Sequence, residues 1–354
     1  MLQVQFLGTS AGTPSKYRNV SAIAVSLINT HSKSKKTPWI LVDCGEATQH
    51  QILKTSLSLM DLSVICITHA HGDHCYGLLG LLSSMAMNRR TAPLTIICPK
   101  DVQTFVEISL QLTHAHRHFE IDYLHHESFD GFQLAISDHH HVDIQAIALS
   151  HRIACMGFKI SQTLHYNKLH SDKLLAKNIQ PSAIWGKLQH GFDVTLDNGE
   201  ILLADDYCEQ KTERLNIIIA GDNDQPDLLT PYVSDIQLLV HEATYTHDIA
   251  EKIKSRTENA FDPKHSSSKQ IAQFAQHQHI PYLALTHFSG RYLAFEDVES
   301  EISNMGHIRA EVKQYYTGRY WLARDFLQLN ITLDGVERVK NSESFSSNSS
   351  ENPL

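Results

Sequence analysis

Four side chains that can bind metal ions fall within six consecutive residues of this chain: His69, His71, Asp73 and His74. They follow an apolar run at residues 63–67, which is typical of a short buried strand. Two histidines spaced two apart on an extended chain point to the same side, and Gly72 permits the turn that brings the next two side chains back to that point. Imidazole and carboxylate groups suit Zn²⁺ best, with other divalent first-row metals possible. The spacing therefore predicts parts of two adjacent metal shells.

A polar loop that happens to be rich in histidine is the alternative interpretation of this stretch. It has some force, because the chain carries 24 histidines in 354 residues. The other histidine clusters, at residues 114–118 and 139–141, do not combine a strand end, a glycine turn and an interposed aspartate. The pattern therefore favours the metal interpretation.

Several more predicted strands end in a residue that can bind a metal, and the ends of strands in an α/β sheet gather at one edge, where sites form. Alone, Asp222 would more often be a turn residue or helix cap, and His151 an ordinary buried polar residue. Together the strand ends supply three histidines for one metal and a carboxylate with two histidines for a second, with Asp222 suited to bridge them. Such a site lowers the pKa of a shared water and binds both oxygens of a displaced phosphate or ester. The residues at these strand ends are His69 and His71, His151, Asp222, His241 and Glu242, and His287.

Composition narrows the class of protein. Hydrophobic residues make up 42% of the chain and charged residues 19%, as in ordinary globular proteins. No signal peptide is predicted at the N-terminus, and no apolar run approaches the ~20 residues that span a bilayer. The six cysteines are scattered, which favours reduced thiols and a cytoplasmic location without membrane attachment. The net charge of −9 has the wrong sign for a generic nucleic-acid binder, so any such function needs local basic groups.

The order of predicted elements indicates an α/β fold with two sheets packed face to face and helices on the outside. We expect one catalytic domain over residues 1–335 and a disordered tail over residues 336–354, which is rich in serine and asparagine. Residues 162–206 break the pattern of the sheet and are predicted to form a projecting arm. A helix is predicted near residues 295–304.

Beyond these patterns, the chain resembles known families. Residues 69–74 (HAHGDH) match the H-x-H-x-D-H motif of the metallo-β-lactamase superfamily, which includes thioesterases and lactamases. More narrowly, the chain resembles the ribonuclease Z family, the short form of the tRNA 3′-end processing endonucleases, over about residues 1–335. The segments that carry this narrower resemblance are 12–22 (GTPSKYRNVSA), 43–49 (DCGEATQ), 241–244 (HEAT), 264–267 (KHSS) and 286–292 (THFSGRY).

The resemblance implies a metallo-β-lactamase-like αββα sandwich and an endoribonuclease. In this family a hydroxide that bridges two metals hydrolyses the phosphodiester 3′ of the discriminator base and releases the 3′ trailer of a tRNA precursor. Two Zn²⁺ ions are implied, with Mn²⁺ or another divalent metal left open. A homodimer acting on precursor tRNA, rather than on DNA, is also implied. The implied metal ligands are His69, His71, His151 and Asp222 for one ion, and Asp73, His74, Asp222 and His287 for the other.

The resemblance also implies catalytic and substrate-binding roles. Asp73 would orient or deprotonate the bridging water, and His265, paired with Glu242, would donate a proton to the leaving 3′ oxygen. Ser289 and Arg291 are candidates for binding the scissile phosphate, with a surface ion pair as the alternative for Arg291.

Residues 162–206 occupy the place of the family's tRNA-gripping arm, and their lysines, Lys187 among them, would supply local positive charge. The chain departs from the family at Asn223, where threonine is usual, and at Ala47 and Gly290. Two other functions stay open: a hydrolase of small phosphodiesters or sulfate esters, and an inactive RNA- or metal-binding protein.

Overall fold

Two large β-sheets pack face to face, and helices cover their outer faces. The computed structural model describes residues 1–31, 36–125, 131–255 and 262–340. The core between the sheets is made of apolar side chains that alternate along both sets of strands, such as Val4 and Val25 from one sheet and Phe158 and Ile217 from the other. This arrangement confirms the predicted αββα sandwich.

The first sheet has eight strands in the order β19-β18-β1-β3-β4-β5-β6-β7. Its first half is antiparallel and its second half, from β4 to β7, is parallel. Parallel neighbours need crossover connections, and helices supply them here. The strands are β1 Leu2–Gly8, β3 Ala22–Leu27, β4 Trp39–Val42, β5 Leu62–Cys66, β6 Leu94–Cys98, β7 Ile121–His125, β18 Gln328–Thr332 and β19 Gly335–Arg338.

The second sheet has seven strands in the order β17-β15-β14-β13-β10-β9-β8. Its parallel part is buried on both faces, so its strands are continuous apolar runs such as Leu238 to Val240. Its strands are β8 Phe132–Ser137, β9 His140–Leu149, β10 Cys155–Leu169, β13 Cys208–Ile219, β14 Leu238–Glu242, β15 Tyr282–Thr286 and β17 Arg319–Leu322. A separate parallel pair, β2 Ser10–Ala11 with β16 Phe288–Ser289, links the two halves of the chain next to the strand ends.

Each outer layer buries one apolar helix face against a sheet. Leu78, Leu82 and Met85 of α3 join the cluster outside the first sheet, and Ile271 and Ile308 join the cluster outside the second. The helices of these layers are α1 Thr48–Ile52, α2 Gly72–Cys75, α3 Leu78–Met87, α4 Lys100–Leu112, a 3₁₀ helix Pro226–Tyr232, α8 His247–Ser255, α9 Ser268–His277 and α10 Met305–Tyr315. Among the residues that the structure describes, no helix is long and apolar enough to cross a membrane.

The first residues of the predicted arm, 162–169, are still part of strand β10. Strand β10 pairs with β9 as far as Leu164 and with β13 as far as Leu169, opposite Cys208, so the two strands run outward as an antiparallel ribbon. Beyond the ribbon, a small unit buries its own apolar cluster, which includes Leu174, Leu188 and Leu202. That unit contains α5 Ser171–Ala176, α6 Ala183–Gln189, β11 Val194–Thr195, β12 Ile201–Leu202 and α7 Ala204–Tyr207.

Two predicted boundaries were wrong. Residues 295–304 form a loop, and the helix begins after them, because Asn304 caps α10 by accepting a hydrogen bond from the Gly306 amide at 2.8 Å. The predicted domain end at residue 335 falls inside a hairpin, since β19 pairs with β18 out to Arg338 opposite Leu329. The rest of the predicted tail, residues 341–354, lies outside the described residues.

Candidate metal centre and active site

The polar side chains that end the strands meet at one edge of the sandwich. His69 and His71 follow β5, Asp222 follows β13, and His287 lies between β15 and β16. The donor atoms of these residues fall into groups whose members all lie within 4.8 Å of one another. Residues distant in sequence therefore form a single site where both sheets end.

The first group consists of three histidines and one carboxylate oxygen. Nδ1 of His71 lies 3.0 Å from Nε2 of His69 and 3.3 Å from Nε2 of His151. Oδ2 of Asp222 lies 3.7 Å from Nε2 of both His69 and His151. Four donor atoms thus face a common point.

The second group consists of two histidines and two carboxylate oxygens. Nε2 of His74 and Nε2 of His287 are 3.3 Å apart, and each lies 3.4 Å from Oδ2 of Asp73. Oδ1 of Asp222 lies 3.6 Å from the first of these nitrogens and 3.4 Å from the second. This is a second set of four converging donors.

Asp222 belongs to both groups, since one oxygen faces each of them. Asp222 is 3% exposed, and none of the described lysines and arginines forms an ion pair with it. Burial alone would favour the neutral acid, but the surrounding histidines, His287 foremost, hold the pKa of its carboxyl well below its usual range. Burial lowers the pKa of His69, which keeps that ring neutral and able to bind a metal. The donor set therefore fits two adjacent divalent cations that share one carboxylate.

Outward hydrogen bonds fix which nitrogen of His151 and of His287 faces the donor groups. The backbone oxygen of Lys264 accepts from Nδ1 of His151 at 2.9 Å. The Thr244 hydroxyl, which donates to Glu242, contacts Nδ1 of His287 at 3.1 Å. A proton held on Nδ1 leaves the Nε2 lone pair directed inward.

Asp43 fixes two further rings. Its Oδ2 lies 2.7 Å from Nδ1 of His74, and its two oxygens accept from the Thr68 amide at 2.8 Å and the Thr68 hydroxyl at 3.0 Å. That hydroxyl in turn contacts Nδ1 of His69 at 2.9 Å. Asp43 takes the left-handed backbone conformation, with φ of 59°, to reach these groups. Sequence reasoning matched the segments containing Asp43 and Thr244 to the family but did not predict either as a site residue.

His265 and Glu242 form a pair, the acid pair, beside the first donor group. Nδ1 of His265 lies 2.9 Å from one oxygen of Glu242 and 3.2 Å from the other, and 3.7 Å from Oδ2 of Asp222. The buried Glu242 also accepts from the Asn223 amide at 2.6 Å. Burial opposes protonation of His265, but Glu242 and Asp222 outweigh it and raise its pKa to about 9. The ring is therefore held as a proton donor, with Nε2 left to reach a substrate.

His241, one of the predicted strand-end residues, does not join either group. Its Nδ1 donates to the Glu242 carbonyl at 2.8 Å, and its Nε2 lies 3.2 Å from the side-chain amide of Asn223. Neighbouring residues on a strand point to opposite faces, so Glu242 faces the site and His241 does not. Asn223, at the position where the family usually has threonine, is thus a structural link between β13 and β14.

The predicted substrate-binding residues lie in two places. Nε of Arg291 is 3.3 Å from the Ser289 hydroxyl, and the guanidinium lies over the Tyr245 ring at 5.3 Å. The centroid of that ring is 6.2 Å from the centroid of the His265 ring, so the guanidinium of Arg291 and the ring of His265 share Tyr245 as a neighbour. Lys187 is exposed on α6 of the arm, away from this cluster.

The arm does not supply the excess positive charge that its lysines suggested. Residues 162–206 contain four lysines but six acidic residues. Lys177 pairs with Glu200, and Lys173 donates to the Asp206 carbonyl at 2.8 Å. Any contact between the arm and a polyanion must therefore depend on individual side chains such as Lys168 and Lys187.

Comparisons with known proteins agree with the fold. A family model described as Anti-Pycsar protein Apyc1 matches residues 2–184, a span that ends before Asp222, Glu242, His265 and His287. A Ribonuclease Z from Marinobacter nauticus is 39% identical over 325 residues, covering 92% of this chain and 95% of that protein. A Ribonuclease BN from Proteus mirabilis is 37% identical over 299 residues, covering 84% and 92%.

Solved structures show the same fold. The short form of human tRNase Z superposes with a TM-score of 0.58 at 23% identity, covering 94% of this chain and 100% of that one. The metallo-β-lactamase fold protein YhfI from Bacillus subtilis has a TM-score of 0.57 at 15% identity, covering 92% and 98%. The Marinobacter nauticus relative matches nearly the whole of both chains at 39% identity, and the chain belongs to the ribonuclease Z family, with a metallo-β-lactamase fold.

Proposed function

We propose that this protein is a metal-dependent endoribonuclease that removes the 3′ trailer from tRNA precursors by hydrolysing the phosphodiester 3′ of the discriminator base. The observation that carries the proposal is the His265–Glu242 pair, 2.9 Å apart beside the shared Asp222. The two donor groups alone would suit many hydrolases of this fold. The 3′ oxygen of a nucleotide is a poor leaving group, so its departure requires a proton donor held in place beside it. Relatives named Ribonuclease Z support the same substrate.

We assign the metal ligands as His69, His71, His151 and Asp222 for one ion, and Asp73, His74, Asp222 and His287 for the other, with Zn²⁺ as the expected metal. Bound there, two such ions would acidify a water molecule and neutralise charge on the phosphate. The chain itself supplies the remaining steps. Asp73, whose Oδ2 accepts from the Gly12 amide at 2.7 Å, orients the attacking water, and His265 gives a proton to the departing 3′ oxygen.

Arg291 and Ser289 would bind the non-bridging oxygens of the scissile phosphate. The aromatic face of Tyr245 holds the guanidinium close to His265, which keeps the positive charge where negative charge develops. The proton that His265 gives up is replaced from solvent, because the ring is only partly buried.

The arm provides the test that separates a tRNA nuclease from a hydrolase of small phosphodiesters or sulfate esters. Because Leu169 and Cys208 are cross-strand partners, residues 170–207 can be replaced by an Asn-Gly turn that closes the ribbon without disturbing its pairing with β9. We expect the shortened protein to lose cleavage of 3′-extended tRNA while still hydrolysing a small chromogenic phosphodiester. Equal rates on tRNA for both proteins would show that the arm does not bind the substrate.

Single substitutions give a second test of the proposed function. His265→Ala should abolish tRNA cleavage without releasing metal, whereas His277→Ala, at an exposed position of α9, should behave as wild type. An active His265→Ala protein would leave the acid pair without a role. Loss of activity in both variants would indicate a folding defect.

We also propose that the protein acts as a homodimer in the cytoplasm on RNA rather than DNA. The cytoplasmic assignment is supported by six cysteines that are all free, five of them buried. Light scattering of the purified protein tests the dimer. Competition by duplex DNA for precursor tRNA tests the choice of nucleic acid.

A further inference from the structure

A cleft of about 390 Å³ opens next to both donor groups. Its walls include Pro14, Val20, Glu46 and Tyr76, together with His71 of the first donor group and Asp73 of the second. His265 and Arg291 are not among the residues that line it. The cleft therefore reaches the donor groups without including His265 or Arg291 in its walls.

Tyr76 is the prominent apolar surface of this cleft. It is 62% exposed, although it directly follows α2, the helix that carries the metal-binding motif. The ring lies against the backbone of Gly72, where a Cβ would come within 2.3 Å of it, and its centroid is 5.9 Å from that of Phe105. The ring is thus held in place by its neighbours while much of its surface faces solvent.

The charge of the cleft indicates what kind of group it accepts. Glu46 is exposed there, Asp73 and the imidazole of His71 also line the cleft, and no lysine or arginine is among its described lining residues. Carboxylates repel a phosphate but accept hydrogen bonds from the amino and imino edges of nucleobases. An exposed aromatic ring offers a stacking surface for any base. A nucleobase fits this combination better than a phosphate does.

We propose that the cleft binds the first nucleobase of the trailer, stacked on Tyr76, and this inference rests on the proposed function. His265 serves the 3′ oxygen of the nucleotide that precedes the cut, so that nucleotide lies on the side of the acid pair. The nucleotide that follows the cut lies on the other side of the phosphate, toward Asp73 and Tyr76. Its base enters the cleft while its phosphate remains at the metal ligands.

A double-mutant cycle between protein and substrate tests the contact. We expect Tyr76→Ala to lower kcat/KM for a 3′-extended tRNA by about 5- to 100-fold, the usual range for one stacked base, and Tyr76→Phe to retain most of the activity. Wild type should lose a similar factor when the first trailer nucleotide is abasic, and Tyr76→Ala should lose little more on that substrate. Fully additive losses, or equal losses in the alanine and phenylalanine variants, would overturn the assignment.

A binding measurement separates this inference from the proposed function. With metal-loaded His265→Ala protein, which holds the substrate intact, 2-aminopurine at the first trailer position should be quenched on binding, and the quench should disappear in the Tyr76→Ala double variant. If wild type fails to cleave the unmodified precursor, the proposed function is wrong. If it cleaves but the 2-aminopurine signal does not change on binding, the cleft assignment alone is wrong.

Discussion

Replacing Asp43 with asparagine should release the metal ion of the second donor group without changing any ligand. Three donors converge on the two oxygens of Asp43: the Thr68 amide at 2.8 Å, the Thr68 hydroxyl at 3.0 Å and Nδ1 of His74 at 2.7 Å. Asparagine has one accepting atom and one donating atom. Since the Thr68 amide can only donate, it keeps the oxygen, and the new NH₂ group faces His74.

His74 must then accept at Nδ1 and carry its proton on Nε2, the atom that faces Asp73 and Asp222. A protonated nitrogen has no lone pair for a metal. Loss of such an orienting partner typically weakens metal binding by about 10- to 100-fold, or roughly 1.4–2.7 kcal/mol. Asparagine tolerates the left-handed conformation of residue 43, which has φ of 59°, so the backbone should not change.

The assay is competition with a chelator of known zinc affinity, combined with metal content by mass spectrometry. We expect Asp43→Asn to bind the ion of the second group more weakly, to bind that of the first group with a smaller loss transmitted through the Thr68 hydroxyl to His69, and to regain most of its activity at high free zinc. Asp122→Asn, at an exposed position of β7, is the matched control. Unchanged affinity at both sites in Asp43→Asn would refute the orienting role of this carboxylate.

Three further predictions follow from other parts of the structure. In Glu242→Gln, the carboxylate that contributes most to raising the pKa of His265 to about 9 is lost, so the basic limb of the pH profile of kcat/KM should move to lower pH by about one unit or more; an unmoved limb would exclude His265 as the titrating acid. Burial lowers the pKa of His140 from 6.5 to about 4, so the unfolded chain binds more protons between these values and stability falls as pH decreases through that window. The melting temperature of His140→Gln should therefore vary less steeply across this window than that of wild type, and equal slopes would contradict the linkage. Leu188→Ala, in the separate apolar cluster of the arm, should speed amide exchange within residues 170–207 while the sandwich keeps its protection; uniform loss of protection would show that the arm and the sandwich unfold together.

The sandwich could be predicted well where a strand is buried on at least one face. Strand β6, Leu94–Cys98, is such a case, because its buried apolar run lies between Pro93 and Pro99. The outer halves of β10 and β13 were missed because they leave the sheet as a ribbon, where solvent reaches both faces and no alternation of apolar residues is required. Local periodicity could not show that these segments pair with each other.

The position of α10 depends on a contact that periodicity does not report. Asn304 looked like the end of a helix, but its side chain accepts from the amides of both Gly306, at 2.8 Å, and Asp297, at 3.0 Å. It therefore caps the following helix and closes the preceding loop. Only the three-dimensional path of residues 295–304 decides between the two interpretations.

The candidate site, like the fold, could be predicted only in part from the sequence. The members of the donor groups could be predicted because most follow a strand, and Asp73 and His74 lie in the short helix just after β5, where strand ends converge in this class of fold. Asp43 and Thr244 could not, because their role is to orient rings that are distant in sequence: 31 residues separate Asp43 from His74, and 43 separate Thr244 from His287. His241 also ends a strand, but its side chain takes the other face of the sheet, which a strand end alone does not indicate.

The most direct test of the central claim is to map the cut in a single 3′-extended tRNA with and without a metal chelator. We expect one cut immediately 3′ of the discriminator base, a 3′ hydroxyl on the tRNA and a 5′ phosphate on the trailer. We also expect chelation to stop the reaction and added zinc to restore it. An intact precursor in the presence of metal-loaded protein, or cleavage that continues after both ions are removed, would contradict the claim.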